Sequence, residues 1–147
     1  MEMVPGGFHE AISDAPKGSA ERAQHEAEAD FHAAQVTQRT QHDVREYAQG
    51  ILDQGYYIFG DLQGFIDTNG NWRAIDVQGL RPQPPEPGTQ AFQDKLAKAP
   101  ANKRTQTEDA MKWEWDHWRA DHDKNVEELI DQMHEAHKNV TGKDPPP

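Results

Sequence analysis

The chain has 147 residues, enough for one domain, and carries 26 acidic against 15 basic side chains for a net charge of −11. Only 22 residues are Ile, Leu, Val or Phe, about 15%, so the expected protein is thin-cored and elongated, or completed by association. The absence of cysteine excludes disulfides, thiolate catalysis and Cys-ligated zinc, and an acidic surface repels the nucleic-acid backbone.

Residues 1–18, with Pro5, Gly6, Gly7 and Pro16, read as a flexible N-terminal arm. Ser19 suits an N-cap, and Glu21 suits the first turn of a helix. Ala20, Ala23, Ala27, Phe31, Ala34, Gln38, Gln41, Val44, Ala48 and Ile51 follow at steps of three and four. That spacing predicts one amphipathic helix over 19–53, closed by Gly55.

Residues 56–78 are β-prone around Tyr56, Tyr57, Phe65, Ile66 and Trp72, with Asn69-Gly70 as a hairpin turn. Gly60 and Gly64 suit a turn or bulge in the first strand. Residues 79–104 open with a Pro-rich run that reads as a stiff, extended connection, then hold a short helix over 90–99 with Phe92 and Leu96 on one face.

Thr105-Gln106-Thr107-Glu108 has the form of a capping box and opens a last helix over 105–140. Its stripe is Met111, Trp115, Trp118, His122, Val126, Leu129, Met133, Ala136 and Val140. So narrow a stripe belongs in a seam with another helix. Gly142 ends it, and residues 141–147 read as a disordered tail. The expected fold class is α+β, mostly α: an antiparallel pair of long amphipathic helices with a small antiparallel β-hairpin or three-stranded meander between them. All of this fits a single elongated domain over 19–140.

The charge is uneven. Residues 19–53 carry three basic and seven acidic side chains and residues 105–140 four and ten, whereas residues 81–104 carry five and two. Two acidic helices suit a basic protein partner, although the same charge also serves solubility. No apolar run approaches the ~18 residues of a membrane span. The first twenty residues lack the pattern of a secretory signal, so the expected location is cytoplasmic, or exported without a signal peptide.

Trp113, Trp115 and Trp118 bracket Asp116 and His117 within two turns. Trp115 and Trp118 share the seam face and would cover the β element, with Trp72 or Tyr56 and Tyr57 as partners. Trp113 points away and suits an exposed anchor for another protein, so the candidate interaction residues are Trp113, Trp115, Trp118, Asp116 and Asp121. Glu114-Trp115-Asp116-His117 has the Glu-x-x-His spacing of a di-metal bundle, and Asp121 lies one turn beyond. Glu114, His117 and Asp121 are therefore metal candidates, but the first helix lacks a matching Glu-x-x-His. A solvated charged face explains these pairs more simply, and no cofactor is expected. Asp67-Thr68-Asn69-Gly70-Asn71 alternates oxygen ligands as a calcium loop does, but the EF-hand Gly position holds Trp72, so it reads as an ordinary turn. No Gly-x-Ser-x-Gly or phosphate-binding loop is present.

Residues 62–70 are similar to one motif of the LAGLIDADG homing endonucleases. That family needs a helix there, basic DNA-binding strands and a second motif, which this acidic chain does not show. Residues 1–12, Met-Glu-Met-Val-Pro-Gly-Gly-Phe-His-Glu-Ala-Ile, resemble the Met-x-Leu-Val-Pro-x-x-Leu-His stretch of the WHH-type HNH toxin nucleases. The resemblance implies a metal-binding or catalytic role for His9. It covers about a tenth of the chain, which holds neither the family's Trp-His-His nor its His-x-Gly-Gly.

Three functional expectations follow. The first is a non-enzymatic, acidic protein–protein interaction module with a tendency to self-associate; a phage-encoded or mobile-element inhibitor of a basic target fits it. The second is a metal-dependent hydrolase or nuclease-like toxin fragment using His9, His117 and Asp121. The third is a structural coiled-coil component of a phage or secretion assembly.

Overall fold

The computed structural model of the chain describes residues 18–60, 62–76 and 79–147. The expected N-terminal arm, His9 included, lies almost wholly outside the described residues. The first helix, α1 (Ala20–Ala34), begins as expected: the Ser19 hydroxyl accepts the Arg22 N–H at 3.1 Å.

The expected single helix over 19–53 is in fact two. After α1 the chain breaks at Gln35–Thr37, and α2 runs from Gln38 to Asp53. The Thr37 hydroxyl accepts the Thr40 N–H at 3.2 Å, and the Thr40 hydroxyl accepts the Thr37 N–H at 2.9 Å. This reciprocal cap satisfies donors that a continuous helix would have satisfied itself, and it lets Val36 drop fully into the core. Gly55, at φ 85°, turns the chain out of α2.

The β element is one long hairpin built as two ladders. The strand β1 (Tyr56–Ile58) pairs antiparallel with β4 (Leu80–Pro82), and β2 (Gln63–Ile66) pairs antiparallel with β3 (Trp72–Asp76). The ladders meet where Gly60 and Gly79 cross; a Cβ on Gly79 would lie 3.3 Å from the Gly60 Cα. Residues 80–82, expected as a connection, therefore form a strand. At the hairpin tip one Asp67 oxygen accepts the N–H groups of Asn69 and Asn71, and the other accepts the Asn71 amide. Burial pushes the Asp67 carboxyl upward, but these bonds outweigh it and hold its pKa below the usual carboxylate value. The loop is thus an Asx-type turn.

The ribbon folds back along α2 and does not cap one end of a helix pair. The Thr40 hydroxyl donates to the Gly70 carbonyl at 2.5 Å at its tip, while the Gln83 N–H donates to the Gly55 carbonyl at 2.9 Å at its base.

The helix α3 (Gln90–Ala97) is capped by Thr89, and a 3₁₀ turn (Ala101–Lys103) leads into α4 (Arg104–Thr141), 38 residues long. The expected capping box at 105–108 does not form: α4 starts earlier, without a side-chain cap, and those residues lie inside its first turns. Gly142 ends α4 in the left-handed conformation, as expected.

Antiparallel to α2, α4 is tied to it by the exposed Arg45–Glu127 ion pair. The main core joins Val44, Ala48 and Ile51 of α2, Ile58, Leu62, Ile66 and Trp72 of the ribbon, and Val126, Leu129, Ile130 and Met133 of α4. The Val, Leu, Ile and Met side chains among them each contribute about 1.5–3 kcal/mol on burial. A separate small cluster, Phe92, Leu96 and Met111, holds α3 on α4. The chain end is not a loose tail: Pro145 is buried, and the Gln38 N–H donates to the Pro146 carbonyl at 2.7 Å. Among the described residues, no helix is long and apolar enough to cross a membrane.

Candidate interaction surface

The main core takes in α4 only from Val126 onward. Residues 104–121 extend past it, held by α3 through Met111 and by β1 through Trp118. Two polar side chains mark the boundary. Buried His122 accepts the Ile58 N–H on its Nδ1 at 3.0 Å, and the Asn125 amide donates to the Ile58 and Phe59 carbonyls at 3.1 Å each. Burial lowers the His122 pKa, with Arg119 acting the same way against the opposing pull of Asp123. The imidazole is therefore kept neutral, with its acceptor nitrogen aimed at β1.

These contacts align an aromatic ledge. The ring centroids of Trp115 and Trp118 lie 6.3 Å apart, Trp118 and Tyr57 pack edge to face at 5.6 Å, and Tyr57 meets Phe59 at 6.4 Å. The Arg81 guanidinium ends the row, 3.3 Å from the Phe59 ring centroid. Tyr57 itself is buried; burial and the charges of Glu114 and Asp121 raise its pKa, while a hydrogen bond from Arg81 works against them.

Of the expected interaction residues, Trp115 and Trp118 belong to this row, whereas Trp113 and Asp116 stand on other faces of α4. Trp115, Trp118 and Asp121 are half-buried and Asp116 is exposed. Trp113 is 60% exposed and Phe59 43%. The expected partner for the tryptophans, Tyr57, does meet Trp118, whereas Trp72 packs instead against Tyr47 at 5.4 Å. Glu114, Asp116 and Asp121 take part in no ion pair among the described residues, although Glu108, Asp123 and Glu128 of the same helix do.

The metal candidates are placed differently. His117 stacks on the Trp113 ring at 4.0 Å, and its Nδ1 donates to the Trp113 carbonyl at 2.6 Å. Among the described residues, no three His, Asp or Glu side chains converge where they could share an ion. His117 is exposed, as a solvated face requires, and His122 is buried on the expected α4 stripe, whereas His32 and His137, off the expected stripes, are buried as well. His137 donates its Nδ1–H to the Ala33 carbonyl at 3.0 Å, tying α1 to α4.

Sequence reasoning missed Arg81, Phe59 and His122 as parts of this surface. The only available signal was the β-prone Tyr56-Tyr57-Ile58-Phe59 run, which does not say what lies opposite it. A concavity of about 390 Å³ lies between α2 and the chain end, lined by Gln38, His42, Arg45 and His134 among others. Its His42, Arg45 and His134 side chains already have partners in Glu46, Glu127 and Asp144.

No protein-family model matches the chain, and neither a curated protein nor a solved structure matches it.

Proposed function

We propose that the protein is a non-enzymatic, acidic protein–protein interaction module that binds a basic partner through residues 104–121 of α4 and the adjoining ribbon. The observation that carries this reading is the juxtaposition of exposed aromatic rings with unpaired carboxylates, on a helix segment that extends past its own core. Aromatic side chains left this open are unfavourable unless something covers them, and Trp is a frequent anchor in interfaces. The net charge of −11 draws a cationic surface toward it and keeps like-charged chains apart. An inhibitor of a basic target, encoded by a phage or mobile element, fits this chemistry.

Hydrogen exchange with poly-L-lysine as probe tests the reading. Protection concentrated on residues 111–122 and the 56–59 strand supports a built docking surface. Protection spread evenly over the acidic faces of α1, α2 and α4 contradicts it, because that is the behaviour of a featureless polyanion.

A further inference from the structure

Resting on the interaction-module reading, the geometry points to a particular chemistry for the partner: an arginine side chain of a basic segment, stacked on the half-buried Trp118 ring between the carboxylates of Glu114 and Asp121. Three observations combine. Glu114, Trp118 and Asp121 stand at i, i+4 and i+7, so one face of α4 presents a ring flanked by two acids. Trp118 is only half-buried, its ring held 5.6 Å from that of Tyr57, and the charges of Glu114 and Asp121 both raise the Tyr57 pKa. A guanidinium already lies over the neighbouring ring: Arg81 sits 3.3 Å from the Phe59 centroid.

Neither Glu114 nor Asp121 has an ion-pair partner among the described residues, so both carboxylates are open to a partner's cation. A guanidinium satisfies both demands of the seat. Its weakly hydrated plane stacks on Trp118, and its edge donates to a carboxylate. A lysine ammonium meets the charge but gives up the planar stacking. Nucleic acid and anionic lipid are repelled from the same surface.

Calorimetric titration of the full chain with three peptides tests this: an alternating Arg-Gly dodecamer, its Lys-Gly counterpart and a Glu-Gly control. The Arg-Gly peptide is expected to bind about fivefold more tightly than the Lys-Gly one, and the Glu-Gly peptide not at all. The double variant Glu114→Gln, Asp121→Asn is expected to weaken Arg-Gly binding about tenfold. Far-UV circular dichroism checks that the variant keeps the wild-type fold. Equal binding of the Arg-Gly and Lys-Gly peptides, with α4 still protected from hydrogen exchange, overturns the arginine seat and leaves the interaction module standing. Binding of neither peptide overturns both. Binding of Arg-Gly that ignores the double variant removes the seat from this place on α4.

Discussion

The Ile58 N–H donates to Nδ1 of the buried His122 at 3.0 Å, so the first strand of the ribbon hangs from an imidazole of α4. This bond requires an unprotonated Nδ1. Burial depresses the folded-state pKa of His122 below the 6.5 of an open histidine. The unfolded chain therefore takes up this proton at a higher pH than the folded chain does. The His122 contribution is fully present above about pH 6.5 and is lost as pH falls from there toward the folded value, then levels off. Urea midpoints across pH 8 to 4.5 are expected to fall through that window. Substitution by asparagine, whose carbonyl can accept in place of Nδ1, should flatten this part of the curve. Asp67 acts in a separate, lower window: its depressed pKa stabilises the fold above about 3.8 and loses that effect as pH falls further.

Gly64 and Trp72 are in close apposition. A Cβ on Gly64 would collide with the Trp72 indole and the Arg73 carbonyl, both on the strand opposite. Gly64→Ala should therefore destabilise the protein by about 1–3 kcal/mol through forced displacement of a buried ring. Gly50, inside α2 with open space around it, is the control. Gly50→Ala should raise stability by about 0.5–1 kcal/mol. Thermal melts of the two variants should shift in opposite directions.

Two buried methionines on α4 distinguish the main core from the satellite. Met133 is fully buried in the main cluster, so Met133→Ala should cost about 2–5 kcal/mol in global unfolding. Met111 meets only Phe92 and Leu96 in the small cluster. Met111→Ala should release α3 locally, seen as faster amide exchange over residues 90–97, with a smaller change in the global urea midpoint.

Much of the architecture was legible because caps and periodicity are local. Ser19, Gly55, Asn69-Gly70 and Gly142 act as the sequence indicates, and the α4 stripe holds from Met111 to Met133. It fails where chemistry outranks hydropathy: His137 is buried in place of Val140, since its ring N–H pairs with the Ala33 carbonyl. The same happens in α1. Phe31, placed on the expected stripe, is 51% exposed, while His32 and Ala33 are buried. Alanine marks no face strongly, and a histidine counts as polar in any pattern, so the phase of α1 was open by one residue. The break at Thr37 carried a signal, Thr37-Gln38-Arg39-Thr40, but a Thr at the fourth position lacks the Glu or Gln of the usual capping box.

For the candidate surface, the tryptophans and acids of α4 could be named from spacing alone. Arg81 and Phe59 could not, because their contact depends on β1 pairing with β4 across the whole ribbon. A Pro-rich run gives no hint of a strand partner. Non-local pairing of this kind is set by the completed core and has no short-range signature.

In the proposed docking surface the location of the carboxylates, and not the total charge, decides binding. Two double variants separate these. Glu114→Gln with Asp121→Asn removes two negative charges from the helix face of Trp118. Asp131→Asn with Glu135→Gln removes as many from elsewhere on α4, at exposed residues that form no ion pair among the described residues. Calorimetry with the Arg-Gly peptide at matched ionic strength should show a loss of about tenfold or more for the first variant and less than about twofold for the second. Equal losses in both would contradict the account, because net charge alone would then explain the binding.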